Sequence, residues 1–272
     1  MGDVILHIGF RKTGTSSIQH FLRDHEQTLL APRGLRFPRG WLRLNNHLEL
    51  HLALLRTARL STPRSRKTEW LDPTFRVELV AQVLRDLAAH DRQTTILSSE
   101  DNELFRYDDE LGSLRALVGD AHIVAVLRNP DDYLASLQDQ LAKSGVGESD
   151  DPDAFNYVMP DSWLVDYEAR LAAWRRHFTR LTVIDYDRAV RCYGSIIPAF
   201  MNVLGVKEHE LPELTPGYWL NPRGGREHRP EGNRWTNGLP FGWAEGTWWP
   251  PIVEDVPPAP LTANQDLLDR AP

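Results

Sequence analysis

Four short apolar runs recur along the chain, and each ends in polar residues. They are VILHIGF (4–10), TTILSSE (94–100), HIVAVLR (122–128) and LTVIDYD (181–187). All are short and rich in β-branched residues, so they predict strands buried on both faces, as in a parallel sheet. Between them the apolar positions take a helical spacing, which predicts helices over 15–23, 78–89, 131–143, 164–178 and 195–204. In the third of these, Tyr133, Leu134, Leu137 and Leu141 share one face. Strand alternating with helix predicts an α/β fold, a three-layer α/β/α arrangement with a central, mostly parallel sheet. Ligands of such sheets bind beyond the carboxyl ends of the strands. Three polar strand ends are therefore the places to look: Arg11-Lys12-Thr13, Ser98-Ser99-Glu100 and Arg128-Asn129-Pro130.

Residues 30–75 break the alternation with Pro32, Pro38, Pro63 and Pro73, and hold one helical pattern over 46–55. They read as an insertion that helps to cover the active site. Residues 144–162 read as a loop or lid. After about Leu214, glycine, proline and tryptophan dominate. The expected division is an α/β domain over 1–214 with the 30–75 insertion, then a 215–272 extension packed on it or partly disordered.

Composition narrows the class. A chain of 272 residues with 41% hydrophobic and 25% charged residues is ordinary for a soluble globular protein. The formal net charge of −7 argues against a duplex nucleic-acid binder. There is no apolar run of ~18 residues to span a membrane. The start, MGDVILHIGF, lacks the basic region of a signal peptide. Cys192 is the only cysteine, which leaves no intrachain disulfide and no cysteine cluster for zinc. The expectation is a cytoplasmic protein. Arginines crowd residues 33–66 (Arg33, Arg36, Arg39, Arg43, Arg56, Arg59, Arg64, Arg66). They suit a small anionic ligand or an anionic acceptor, or else form a solvated surface.

The stretch HIGFRKTGTSSIQHFL (7–22) carries the most chemistry. A Walker A loop reads G-x-x-x-x-G-K-[ST]. Gly9 and Gly14 have that glycine spacing, yet Thr15 follows the second glycine and Lys12 stands two residues before it. A helix N-terminus presents free N–H groups and a positive dipole end to an anion. Gly14 lets the backbone approach closely, Thr13, Thr15, Ser16 and Ser17 add hydroxyls, and Lys12 adds a point charge. The plainer reading is a turn before a capped helix.

This stretch resembles the 5′-phosphosulfate loop of the sulfotransferases that use 3′-phosphoadenosine 5′-phosphosulfate (PAPS). Bacterial members commonly show a strand followed by G-x-P-K-T-G-T-T-S-L-Q. The resemblance implies a P-loop nucleotide-hydrolase-like fold. It gives Lys12 the 5′-phosphate and the oxygen bridging to the sulfuryl group, and it gives phosphate contacts to Thr13, Gly14, Thr15, Ser16 and Ser17. Arg11 stands where the family usually has proline, and would either add a cation to the site or point away from it. A second stretch, VAVLRNPDDYLASLQDQLAK (124–143), resembles the family's strand ending in Arg, then Asn-Pro, then a helix with Ser eight residues after the Arg. The resemblance gives Arg128 and Ser136 the 3′-phosphate. The residues suit this on their own: Pro130 fits a first helical turn, and the arginine fork pairs with phosphate oxygens. An ion pair for Arg128 and a packing role for Ser136 are the structural alternatives. The resemblance covers roughly residues 3–25 and 94–205.

It implies PAPS as sulfuryl donor, 3′-phosphoadenosine 5′-phosphate (PAP) as product, and no required metal. Lys12 would be the electrostatic catalyst. Glu100 is the first choice for the base that deprotonates the acceptor, and His47 the second. His47 and His51 are one helical turn apart, a spacing that suits a metal, but no third ligand is evident. Ser98 and Ser99 would position the acceptor or the phosphate, and Asp101 and Glu103 read as surface or capping residues. Arg223, Gly224 and Gly225 resemble in type a C-terminal loop that grips the 3′-phosphate in cytosolic members. Trp243, Trp248 and Trp249 would stack on a sugar or an aromatic acceptor. The expected acceptor is a hydroxyl on a carbohydrate or glycolipid, with an aromatic or peptide natural product as the alternative. Two other classes compete: a magnesium-dependent kinase or NTPase with an altered loop, and a binding protein that has lost its base. The sequence leaves the oligomeric state open.

Overall fold

In the computed structural model of the chain, residues 2–212 and 252–253 are described. The chain runs β1 (Val4–His7), α1 (Thr15–Asp24), β2 (Leu35–Arg36), α2 (Leu48–Leu54), α3 (Thr62–Arg66), α4 (Pro73–Ala89), β3 (Thr94–Ser98), α5 (Asp108–Val118), β4 (His122–Leu127), α6 (Pro130–Ser144), α7 (Tyr167–His177), β5 (Arg180–Asp185), α8 (Tyr186–Tyr193), α9 (Ile197–Val203) and β6 (Ile252–Val253). The sheet order is β2-β3-β1-β4-β5-β6. The first five strands are parallel, and β6 pairs antiparallel with β5.

Both faces of the sheet are covered, as the apolar strands require. Side chains alternate along a strand, and the two cores follow that alternation. Val4, Leu6 and Ile8 join Ile123, Ala125 and Leu127 in a core with residues of α4, α5, α6 and α7. Ile5, Val124 and Val126 face the other way, against Ile18, Phe21 and Leu22 of α1 and Ile197 and Phe200 of α9. Thus the helix after β1 and the helix after β4 lie on opposite faces of the sheet. The chain visits β2 and β3 on one side of β1, then crosses to β4 on the other. That reversal opens a crevice at the carboxyl ends of β1 and β4, where such sheets place their ligands.

Region 30–75 contributes to the sheet and to the packing. Leu35 and Arg36 pair with Thr94 and Thr95 and add the edge strand β2. Leu48, Leu52 and Ala53 of α2 form a small separate core with Leu79 of α4. The arginines there are largely occupied. Arg33 pairs with Glu210, Arg36 with Asp86, Arg56 with Asp109 and Arg59 with Glu110. Arg64 is buried and donates to the carbonyls of Leu52, Leu55, Arg56 and Arg59. These five arginines have partners within the protein, and of the two readings of the region this favours the one without a bound anion. Helix α7 starts later than its apolar spacing suggests, because Asp166 caps it by accepting from the Ala169 amide at 3.1 Å. Helices α3, α5 and α8 are additional to those that the apolar spacing predicts. No helix among the described residues is long and apolar enough to cross a membrane. Apart from β6, the expected 215–272 extension lies outside the described residues.

Candidate functional site

The loop between β1 and α1 is shaped by close approach. The Ile8 amide still donates to the Val124 carbonyl at 3.0 Å, so the loop leaves from a point fixed to β4. At Gly9 a Cβ would lie 2.5 Å from Thr15 Oγ1 and 2.6 Å from His7 Nε2, so no side chain fits. Thr13 Oγ1 donates to the Phe10 carbonyl and closes the turn. Gly14 has φ 77°, in the left-handed region that favours glycine. Lys12 has φ 64° and is the only non-glycine residue with positive φ among the described residues. That conformation costs an L-residue roughly 1–2 kcal/mol.

Helix α1 begins at Thr15, and its first internal bond runs from the Ile18 amide to the Gly14 carbonyl at 3.0 Å. Gly14 supplies no side-chain cap. The amides of Thr15, Ser16 and Ser17 therefore have no acceptor within the helix. Thr15 Oγ1 is buried without a hydrogen-bond partner among the described residues. Lys12 Nζ makes no hydrogen bond or ion pair with a described residue. Amides, hydroxyl and ammonium together form a cradle that an anion satisfies.

The second motif meets this loop directly. Arg128 Nη1 donates to the Lys12 carbonyl at 3.2 Å and to Ser136 Oγ at 3.3 Å. Asp132 and Asp187 each stand 3.9 Å from the guanidinium, and Arg128 Nε is buried without a hydrogen bond. The placement has local causes. Asn129 Oδ1 accepts from the Asp131 and Asp132 amides at 2.9 and 3.3 Å and caps α6, with Pro130 in the first turn. Tyr167 Oη donates to the Arg128 carbonyl at 2.9 Å, a support that its helical spacing did not signal.

Glu100 opens a short 3-10 turn, Glu100–Leu104, just past β3. β3 lies beside β1 with Ser98 opposite His7, so Glu100 emerges next to the loop. The carboxylate makes no hydrogen bond or ion pair among the described residues. Its pKa is pushed up to about 7, mainly by burial and by the neighbouring charges of Asp101 and Glu103, while Arg11 and Lys12 oppose the rise.

The structure leaves His47 no free ring nitrogen. The Ser98 amide donates to Nδ1 at 2.9 Å, and Nε2–H donates to the Pro38 carbonyl at 3.1 Å. Burial lowers its pKa to about 4, so the ring is neutral near pH 7. It stitches the segment before α2 to the end of β3, which corrects its reading as an alternative base. His51 is engaged elsewhere, at 2.8 Å from Ser61 Oγ. Among the described residues no group of three or more His, Cys, Asp or Glu is placed to hold a metal. Ser98 is fully buried, with Oγ 2.9 Å from His7 Nδ1 and 3.0 Å from Gln19 Nε2, so it braces the loop from below.

Two further readings are corrected. Arg11 does not add a cation to the cradle. Its guanidinium is buried and paired with Asp101 at 3.0 Å and Glu103 at 3.4 Å. Asp101 and Glu103, expected as surface or capping residues, are buried as its partners. Glu103 also accepts from Tyr133 Oη at 3.1 Å and lies 3.5 Å from Arg170 Nη2. The only sequence signal for this cluster was an arginine where proline is usual. Arg223, Gly224, Gly225, Trp243, Trp248 and Trp249 lie outside the described residues.

A loop of free amides and a second cationic strand end stand side by side at the crevice of a mostly parallel α/β sheet. The model of the sulfotransferase family matches residues 5–210, and the chain belongs to that family. Among solved structures, a sulfotransferase from Alicyclobacillus acidocaldarius is similar with TM-score 0.51 and 17% identity, over 80% of this chain and 88% of that one. The sulfotransferase domain from the curacin biosynthetic pathway follows with TM-score 0.41 and 14% identity, over 88% of this chain and 81% of that one. The sulfotransferase domain from the Synechococcus PCC 7002 olefin synthase has TM-score 0.40 and 14% identity, over 83% and 78%. At these identities the first likeness speaks to the fold alone. No curated protein gives a significant match.

Proposed function

We propose that this sulfotransferase moves a sulfuryl group from PAPS to an acceptor hydroxyl by in-line transfer, with Glu100 as general base. The observation that carries the reading is the hydrogen-bonded join between the two anion-binding parts, Arg128 to the Lys12 carbonyl and Arg128 to Ser136. A nucleotide with phosphates at both ends of its ribose needs two such parts at fixed separation.

The residues present fit that nucleotide. The first amides of α1, with Thr15 Oγ1 and Lys12, which have no side-chain partner among the described residues, would hold the 5′-phosphate end. Arg128 and Ser136 would hold the 3′-phosphate. When bound, PAPS supplies the sulfuryl group on a phosphate leaving group. Lys12 offsets the negative charge that grows on the bridging oxygen, the largest kind of contribution a fixed charge makes in group transfer. Glu100 takes the hydroxyl proton. Burial and the neighbouring acids raise its pKa to about 7, and a base raised in this way is well matched to the task.

For the acceptor we infer an uncharged hydroxyl compound, a carbohydrate or glycolipid first and an aromatic or peptide natural product second. Four of the eight arginines in 33–66 (Arg33, Arg36, Arg56 and Arg59) are already paired with carboxylates, which weakens the argument for an acidic one. Calorimetry with PAP and with ATP, each in EDTA and in Mg²⁺, tests the donor. Tight, metal-independent binding of PAP with weak ATP is expected. Magnesium-dependent ATP binding would replace this reading with the kinase one. Transfer of radiolabelled sulfate from PAPS to a panel of sugars, glycolipids and phenols then sorts the acceptors.

A further inference from the structure

We propose that Arg11 and Asp101 are a positioning pair, whose buried ion pair locks the turn carrying Lys12 to the turn carrying Glu100 and fixes the charge around the Glu100 carboxyl. The inference rests on the reading of Lys12 and Glu100 above. Arg11 directly precedes Lys12, and Asp101 directly follows Glu100. Their side chains meet at 3.0 Å and are 1% and 7% exposed. Each proposed catalytic group is therefore one residue from one end of a single buried contact. The contact spans two loops that leave neighbouring strands, and it is backed by Arg11 to Glu103 at 3.4 Å and by the Ser99 amide on the His7 carbonyl at 3.1 Å. One of those loops holds Lys12 in a left-handed conformation that it would not keep unaided.

The charges around the pair are balanced with care. Two buried acids, Asp101 and Glu103, meet two buried cations, Arg11 and Arg170. Tyr133 from α6 donates to both oxygens of Glu103 at 3.1 Å. His51 from α2 lies within the field of Asp101 and Arg11. Glu100 is the acid left without a partner. It faces Asp101 and Glu103 on its own turn, and Arg11 and Lys12 from the loop after β1. Asp101 and Glu103 favour its protonated form, and Arg11 favours the carboxylate. A buried ion pair adds little net stability, because desolvation offsets the attraction. Its value here is geometry and field.

The two ends of the pair make opposite predictions, and ¹³C NMR titration of the Glu100 carboxyl in the full chain, alongside kcat, reads both. Asp101→Asn removes a negative neighbour, so Glu100 should titrate below its wild-type midpoint. Arg11→Gln removes a positive one, so Glu100 should titrate above it. Both should lower kcat about 10-fold or more, because small misplacements of reacting groups are that costly. Midpoints that stay put or move the same way, or a wild-type kcat, would overturn the proposal. Arg11→Lys keeps the charge but not the fork, and serves if the neutral variants fail to fold. It should lower kcat with little change in the midpoint, and a wild-type kcat would again overturn the proposal. Glu100→Gln separates the two ideas. An unchanged rate there refutes Glu100 as base, while the opposite titration shifts would still report the field of the pair.

Discussion

Arg128 Nη1 donates to the Lys12 carbonyl oxygen at 3.2 Å, across 116 residues of sequence. One guanidinium thus joins the loop after β1 to α6, and a change at residue 128 is felt by both.

Arg128→Ala should weaken PAP binding by about 10- to 100-fold, the range for a lost charge-assisted hydrogen bond to a phosphate. Adenosine 5′-phosphate, which lacks the 3′-phosphate, should lose much less. Calorimetry with both nucleotides checks this, and equal losses would take the 3′-phosphate role away from Arg128.

Lys12 carries a strained backbone and a free ammonium, and two variants separate them. Lys12→Ala should cut kcat by about 10²–10³-fold, the loss seen when a fixed transition-state donor is removed. Lys12→Gly should be equally slow yet at least as stable as Lys12→Ala, because glycine takes φ 64° without strain. Rates and urea denaturation midpoints for the pair decide it. A wild-type rate in either variant would refute the loop assignment.

Glu100→Gln should leave PAP binding intact and slow turnover by about 10²–10⁴-fold. The carboxylate is the active form and its folded pKa is about 7, so the wild-type rate should rise with pH through that value. In stability the sign runs the other way. The fold favours the protonated carboxyl, so this contribution is full below the unfolded value of 4.5 and lost as pH rises through about 7. The pH profile of kcat/KM should lose its acidic limb in the variant.

Three buried histidines predict acid sensitivity. Burial lowers His47 to about 4 and His7 and His51 to about 3, from an unfolded value of 6.5. Below pH 6.5 the unfolded chain takes up protons that the folded protein refuses, so stability falls between there and pH 4. Glu49 and Glu100, raised to about 7, and Glu103, also raised, act in the opposite sense over the same window, so the histidine share is read by difference. In urea midpoints measured at steps across that window, His47→Asn should be less stable than the wild-type protein at pH 7, and the gap should narrow as pH falls. A gap that stays constant would mean that the His47 ring is not held neutral.

What was legible in the sequence was what short stretches determine. The four buried strands, the loop from Gly9 to Ser17, and the Arg128–Ser136 spacing each lie within one continuous run, where strand, glycine and helix cap speak together. The region from Glu100 to Glu103 was harder. Its first residue was found because a strand ends there. Asp101 and Glu103 were misplaced because their burial depends on Arg11, 90 residues away for Asp101. His47 was misjudged for the same reason, since its partner Ser98 is 51 residues away and no local pattern announces the match. Strand β2 is only two residues long, too short to show any alternation.

The place of β1 in the sheet sets the order in which the protein is able to assemble. β1 is made first, yet Val4 pairs with Thr95 and Ile5 with His122. During synthesis the loop after β1 waits for both flanking strands, on the order of ten seconds at ordinary elongation rates. Its glycines and its lysine lie unsupported for that time, and the apolar β1 has nothing to pair with. The centre of the sheet is therefore completed late and all at once, when β4 has been made.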